Sequence, residues 1–414
     1  MKTDALSASV IPRLPVLGWS TFSGSARAEL NCILDLPGAS YTTSGRASIL
    51  LALENLGVGP SHQVFLPTYH CQTMVAPVAH LGAEPVFYPI DQTGAPVLEW
   101  LNAQDLSNAR VLLVAHFFGL PQPLAGIRAW CDRFGIALIE DCAHALFGRS
   151  GERSIGTWGD LAIGSLTKFL PVSLGGCLVS NRPTLNLSLR PSGAMASVRM
   201  AVDAVEVAAE HQRLWGLNWA VPAVMATIRG LRVGSAKLRP LPETVPATLP
   251  DQGALGGIDA DLAHTALPAV GQWMAKLVPR DRIAKVRRQR YMQYAQRLSG
   301  HRGLRPLMPV LPEGCAPYVF PLWLDQPDPG YARLRSQRMP VSRWDWLWPS
   351  VPQIEGDQGV AWSRHVLQLA CHQDVTDADM DRFIDVLICL FAVGANTPYL
   401  EKRITNELEA GAGH

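Results

Sequence analysis

Lys168 stands in a short polar turn between two apolar runs, within Leu161–Asn181 (LAIGSLTKFLPVSLGGCLVSN), and Gly175-Gly176 directly precede the second run. An amine attacks a carbonyl only when it can lose its proton and is held in position, which a turn between two strands permits. Taken alone, a lysine there reads as a solvated turn residue. A second group changes that reading. Glu140-Asp141 end another apolar run about 27 residues upstream, and Cys142-Ala143-His144 follow. A carboxylate at the end of an apolar strand can hold a proton on a partner nitrogen through a charge-assisted hydrogen bond. Lysine and carboxylate together suggest a cofactor site.

A third group lies near the start of the chain. Thr42-Thr43-Ser44-Gly45-Arg46-Ala47-Ser48 lead into Ile49–Leu56, a run of good helix formers that stops at Gly57. The first N–H groups of a helix have no internal acceptor and carry positive potential, so a small hydroxyl-rich turn there suits an anion such as phosphate. An ordinary N-cap by Ser44 or Thr43 accounts for the same residues. Downstream, Gln63–Pro67 reads as a buried strand that delivers a polar and aromatic cluster, Thr68-Tyr69-His70-Cys71-Gln72-Thr73, at its C-terminal end. Ligands of open α/β sheets gather at such ends.

The elements that must carry these groups follow from the pattern. Glu84–Pro89, Arg110–Ala115, Ile136–Glu140, Leu161–Ile163 and Gly176–Ser180 read as strands, and Met74–Leu81 and Leu124–Phe134 as helices. Strands this apolar, alternating with helices, predict a mainly parallel sheet covered on both faces. At 414 residues the chain is long enough for a large α/β domain and a smaller one.

Composition excludes several function classes. A formal charge of +1 and a charged fraction of 17% give no electrostatic footprint for nucleic acid. The eight cysteines show neither CxxC nor Cys/His metal spacing, so reduced thiols in a cytoplasmic protein, with no metal site, are expected. The N-terminus lacks an apolar signal core, and no apolar run reaches membrane-spanning length.

The order of these motifs resembles the DegT/StrS family of pyridoxal-phosphate-dependent sugar aminotransferases. The residues that carry it are Ser44-Gly45 opening a helix, Pro67 with its cluster, Gly82-Ala83-Glu84-Pro85-Val86, His116-Phe117-Phe118-Gly119, Glu140–His144, and Lys168 with Gly175-Gly176; Leu369–Met380 is similar to the family's closing segment, with a last helix capped at Thr376. The resemblance implies a fold-type-I transferase: an N-terminal arm (1–40), a large cofactor domain (41–250) including a divergent helical insert (186–250), and a connecting helix with a smaller α+β C-terminal domain (251–414). It implies that Lys168 forms the Schiff base with pyridoxal phosphate and moves protons, that Asp141 keeps the cofactor's ring nitrogen protonated, and that His144 stands where the family has glutamine near the 3-hydroxyl.

Other positions depart from the family. Arg46 replaces a phosphate-contacting threonine and either pairs with the phosphate or is a solvated charge. Cys71 replaces the stacking aromatic, so His70 or Tyr69 would stack instead. Ile163 replaces a serine, so Ser165 or Thr167 would supply a phosphate hydroxyl. The implied function is transfer of an amino group from an amino acid, glutamate being the expected donor, to a keto group of a nucleotide-linked sugar in polysaccharide or cell-envelope biosynthesis, by a homodimer. A dehydratase or lyase, or a non-catalytic scaffold, are the alternatives.

Beyond these motifs, Ser197–Leu214 has helical periodicity, and residues 215–239 carry tryptophans and basic groups that suit either weak membrane-surface contact or helices over the site mouth. Asp259–Leu298 reads as one long helix with a solvated arginine run at 287–290, and Pro317–Leu324 as a strand. Val341–Trp348 is an aromatic-rich strand or loop that offers Arg343 and its tryptophans to substrate.

Overall fold

The computed structural model of the protein describes residues 10–24, 30–182, 187–218, 221 and 258–392. The large domain is built from β1 (Ser40–Thr42), α1 (Gly45–Asn55), β2 (Gln63–Pro67), α2 (Gln72–His80), β3 (Glu84–Tyr88), α3 (Leu98–Asn102), β4 (Ala109–Ala115), α4 (Ala125–Phe134), β5 (Ala137–Asp141), a short hairpin β6–β7 (Arg149–Ser150 and Arg153–Ser154), β8 (Leu161–Ser165) and β9 (Gly176–Ser180). Seven of these strands form one sheet in the order β1-β9-β8-β5-β4-β2-β3. All neighbours from β8 to β3 run parallel, and β9 alone runs against its neighbours. The parallel strands are apolar through their middles because helices cover both faces; Val111–Val114 and Leu138-Ile139 are almost completely enclosed.

A second sheet, all antiparallel, is ordered β10-β11-β13-β12 from β10 (Leu304–Pro306), β11 (Val319–Leu324), β12 (Val341–Ser342) and β13 (Val366–Ala370). Helices Arg280–Leu298 and Asp377–Phe391 cover it, burying Tyr291, Tyr294, Leu298, Phe383, Ile384 and Leu387 in one cluster. Each such side chain contributes about 1.5–3 kcal/mol by leaving water. The last helix opens with a reciprocal cap between Thr376 and Asp379, as the Thr-x-x-Asp spacing predicts.

Two expectations need correction. Asp259–Leu298 is three helices, Ala260–Ala263, Ala269–Leu277 and Arg280–Leu298, because Pro268 and Pro279 occupy the positions just before the second and third and cannot continue the preceding helix. The arginine run is not a solvated face: Arg287 is 0% exposed and Arg290 7%. Val341–Trp348, expected as strand or loop, is strand over its first two residues and loop beyond them. The helix expected over 197–214 is α5 (Ala194–Glu210). The arm meets both parts of the same chain: Ile11 is buried in the core cluster of the second sheet and Val16 N–H donates to Asp374, whereas Cys32, Ile33 and Leu34 pack with Leu146 and Phe147 after β5. Most of 215–239 lies outside the described residues. Among those described, no helix is long and apolar enough to cross a membrane.

Candidate active site

Asp141 closes β5, paired in register with Ile163 of β8. The chain runs two residues further along β8 to Ser165, then makes a single 3-10 turn, Leu166–Lys168. Asp141 and Lys168 are therefore brought together at the C-terminal edge of the parallel strands, where α/β sheets place their ligands. Asp141 is buried; its Oδ1 accepts the Ala143 N–H at 2.8 Å, and the other oxygen takes no hydrogen bond from the described residues. Burial pushes the Asp141 carboxyl above its ordinary range, and the Lys168 charge opposes that push. Lys168 is half-buried, with Nζ 5.3 Å from the centre of the Tyr318 ring.

His144 completes this group. Its Nδ1 accepts the Phe118 N–H at 3.3 Å. A neutral imidazole accepting at Nδ1 carries its proton on Nε2, which makes Nε2–H a donor. Burial, with the Lys168 charge, holds the His144 pKa well below the usual histidine range. The ring packs between Tyr318, at 4.5 Å, and Trp344, at 5.2 Å.

The other member of the carboxylate pair goes elsewhere. Successive strand residues face opposite ways, and Glu140 accepts from His116 Nε2 (2.9 Å) and from the amides of Gly156, Trp158 and Gly159. Those bonds hold its pKa below the ordinary value against burial. His116 Nδ1 in turn accepts the Gln122 N–H. This cluster anchors the loop before β8 rather than the chemistry.

The start of α1 reaches the same edge. Ser44 Oγ accepts the Ala47 N–H at 3.1 Å, so Ser44 is the N-cap. The amides of Gly45 and Arg46 have no acceptor among the described residues. Gly175 N–H donates to Thr43 O at 2.8 Å, and a Cβ on Gly176 would lie 2.4 Å from the Ser44 carbonyl, so β9 meets the helix start backbone to backbone. Gly45 faces Ser165 of β8, whose Oγ is 3.3 Å from Thr167 Oγ1. Arg46 is half-buried and makes no ion pair or hydrogen bond with the described residues; burial lowers its pKa.

The cluster after β2 is turned inward. His70 is fully buried, its Nδ1 against Pro67 O at 3.0 Å and its Nε2 accepting the Trp348 N–H at 3.1 Å, and it stacks on Phe87 at 4.8 Å. Burial lowers its pKa to about 4. The Tyr69 ring lies among Phe117, Phe118, Trp344 and Trp362, with its hydroxyl accepting from Gln368. Both rings are committed to packing. Cys71 Sγ contacts Thr73 Oγ1. Arg343 is likewise committed, to Asp328, Asp345 and the Tyr331 face.

Two residues next to Lys168 were not singled out from sequence. Tyr318 precedes β11 and is pinned by its N–H to Phe118 O at 2.8 Å, across Gly119, where a Cβ would lie 2.4 Å from Tyr318 N. Phe118 itself is held at φ 61°, the kind of backbone strain that collects at functional sites. The second is Arg287; its place on the stripe Ile283-Ala284-Arg287-Tyr291-Tyr294-Leu298 is the helical period that signals a buried face.

A mainly parallel seven-stranded sheet with one reversed strand, a buried aspartate ending β5 and a lysine in the β8–β9 connection define a fold-type-I transferase of the pyridoxal-phosphate class. The profile of the DegT/DnrJ/EryC1/StrS aminotransferase family matches residues 34–244, and the chain belongs to that family. It is 32% identical over 133 residues to the UDP-N-acetyl-3-dehydro-alpha-D-glucosamine 3-aminotransferase of Acidithiobacillus ferrooxidans, a match covering 32% of this chain and 36% of that one. It is 27% identical over 198 residues to the GDP-perosamine synthase of Vibrio cholerae, covering 45% and 54%. The chain thus spans between a third and about half of the length of these relatives. Its fold matches that of NtdA from Bacillus subtilis, crystallised with bound pyridoxamine phosphate (PMP), over 85% of this chain and 73% of that one, with 16% identity and a TM-score of 0.54.

Proposed function

We propose that this protein is a pyridoxal-phosphate-dependent aminotransferase that moves an amino group from an amino acid, glutamate first among candidates, to a keto group of a nucleotide-linked sugar. The observation that carries the reading is the Asp141, His144 and Lys168 group at one sheet edge, with one oxygen of the buried Asp141 left unbonded among the described residues. The names of the relatives, which act on UDP- and GDP-linked sugars, support the acceptor class.

The side chains present fit the cofactor. A free oxygen on a buried carboxylate suits a protonated ring nitrogen, and a neutral imidazole with Nε2–H suits a phenolic oxygen. The unpaired amides of Gly45 and Arg46, the Arg46 guanidinium and the hydroxyls of Ser165 and Thr167 suit a phosphate. Pyridoxal phosphate, when bound, supplies an aldehyde for amines and a ring that draws electrons from the substrate carbon. Lys168 Nζ, as a free amine, is the group that takes and returns the substrate's proton. Asp141 holds a proton at the ring nitrogen, His144 donates from Nε2, and the Phe117, Trp344 and Tyr318 rings exclude water. The homodimer and the cytoplasmic location belong to the same proposal.

The test is spectroscopic. Purified protein with added cofactor is expected to show a visible band that glutamate converts to the ultraviolet band of pyridoxamine phosphate. A visible band that no amino acid converts would overturn transamination. Lys168→Ala is expected to abolish the covalent link, read by mass spectrometry after borohydride reduction.

A further inference from the structure

Arg287 is a fully buried cation with no carboxylate bonded to it among the described residues. Its guanidinium is spent on carbonyl oxygens: Nη2 donates to Lys168 O at 2.7 Å, Nη1 to Pro317 O and Tyr318 O at 3.1 Å each, and Nε to Gln373 Oε1 at 3.0 Å. It also lies 4.4 Å from the centre of the Phe169 ring, and Gln373 Nε2 donates to Phe169 O at 2.9 Å. The 3-10 turn carrying Lys168, the entry to β11 carrying Tyr318, the segment after β13 and the long helix therefore meet at one fork.

The groups around the fork do not neutralise it. Cys371, whose Sγ is 3.5 Å from Tyr318 O, has its pKa pushed up to about 12 by burial and stays a thiol. His372 is held at about 3 and stays neutral. Asp374 is ion-paired to Arg282, and its charge reaches Arg287 without a bond. Enclosing a charge with no bonded counter-ion is costly, and simple carbonyl satisfaction does not require a charge. What a guanidinium offers over a neutral donor is a rigid planar fork that fixes several acceptors relative to one another. Two of those acceptors are the backbone oxygens of Lys168 and Tyr318, the partners of the contact between Nζ and the ring.

We propose that Arg287 is a positioning residue for Lys168: it locks the lysine's turn to the small-domain residue Tyr318, so that the place of the reacting amine is set by the seating of the two domains. This rests on the reading of Lys168 as the cofactor lysine. Arg290, three residues on, is the control, because it is also buried but bonds Val375 O, Gln293 and Asp377, away from Lys168.

The experiment compares Arg287→Lys, Arg287→Gln and Arg290→Lys in the full chain. Displacement of a reacting group by about 1 Å lowers turnover about 100-fold, so both Arg287 variants are expected to lose kcat on that scale with KM for the amino donor little changed. Their visible circular dichroism should change, because the cofactor's tilt follows the lysine. In cofactor-free protein, acetic anhydride should label Lys168 severalfold faster in Arg287→Lys. Arg290→Lys should lower Tm similarly while leaving dichroism, kcat and labelling as in the unsubstituted protein. Unchanged dichroism, kcat and labelling in the Arg287 variants would overturn the proposal, as would an equal loss in Arg290→Lys at equal Tm. Should Arg287→Lys fail to fold, Arg287→Gln is judged by the same criteria. Failure of the cofactor reading shows separately, as no visible band in the unsubstituted protein, and the labelling comparison then still decides the role of Arg287.

Discussion

Glu140 and Asp141 are consecutive on β5, yet their side chains leave opposite faces of the sheet, Glu140 into His116 and the amides of residues 156–159, Asp141 to the edge that bears Lys168. Chemically similar groups one residue apart thus have unrelated duties. Glu140→Gln weakens bonds to several buried donors and is expected to cost about 2–3 kcal/mol, read as a fall in Tm with the cofactor spectrum unchanged. Asp141→Asn is expected to do the reverse. A buried carboxyl whose pKa is raised on folding stabilises the folded state below its unfolded pKa and loses that contribution as pH rises through the folded value. Cofactor-free Asp141→Asn should therefore match the unsubstituted protein in acid and exceed it in Tm at neutral pH, while kcat falls about 100–1,000-fold.

His144 is held neutral, with its proton on Nε2. Its titration should leave no mark on kcat/KM around neutral pH and above, because burial holds its pKa well below the ordinary histidine value. His144→Gln keeps an N–H donor and is expected to retain activity within about tenfold, whereas His144→Phe removes the donor and should lose about 100-fold. A pH–rate profile of the three proteins checks both statements.

Gly176 touches the Ser44 carbonyl, so a methyl there must separate β9 from the start of α1. Gly176→Ala is expected to cost about 1–3 kcal/mol through overpacking and to weaken cofactor binding, because the amides of Gly45 and Arg46 move with the helix. Equilibrium dialysis of the cofactor, alongside a urea melt, separates the two effects.

Arg46 has no acidic partner among the described residues, so its removal leaves no orphaned charge. Arg46→Ala should leave Tm of the cofactor-free protein unchanged. If the guanidinium holds the phosphate, Kd for pyridoxal phosphate rises about 10–100-fold, the worth of a charge-assisted hydrogen bond, and Kd for dephosphorylated pyridoxal stays the same.

Much of this was legible in the residue string because it is local. Strand runs such as Gln63–Pro67 and Gly176–Ser180, the Ser44 and Thr376 caps, and the paired glycines are set by short-range sterics and hydrogen bonding, and their order along the chain was enough to single out Asp141 and Lys168. The helix breaks at Pro268 and Pro279 are local too, since each proline stands just before the helix that follows it. What tertiary structure decided was which face each side chain meets and what stands opposite it. His70 and Tyr69 sit at a strand end suited to a ligand, but rings brought from β3, the β4 loop and the 344–362 region enclose them. Arg287 reads as one of several charges until Lys168, Tyr318 and Gln373, far from it in sequence, converge on its fork. Local propensity fixes how a segment bends; only packing between distant segments decides which polar groups are left facing one another once water is gone.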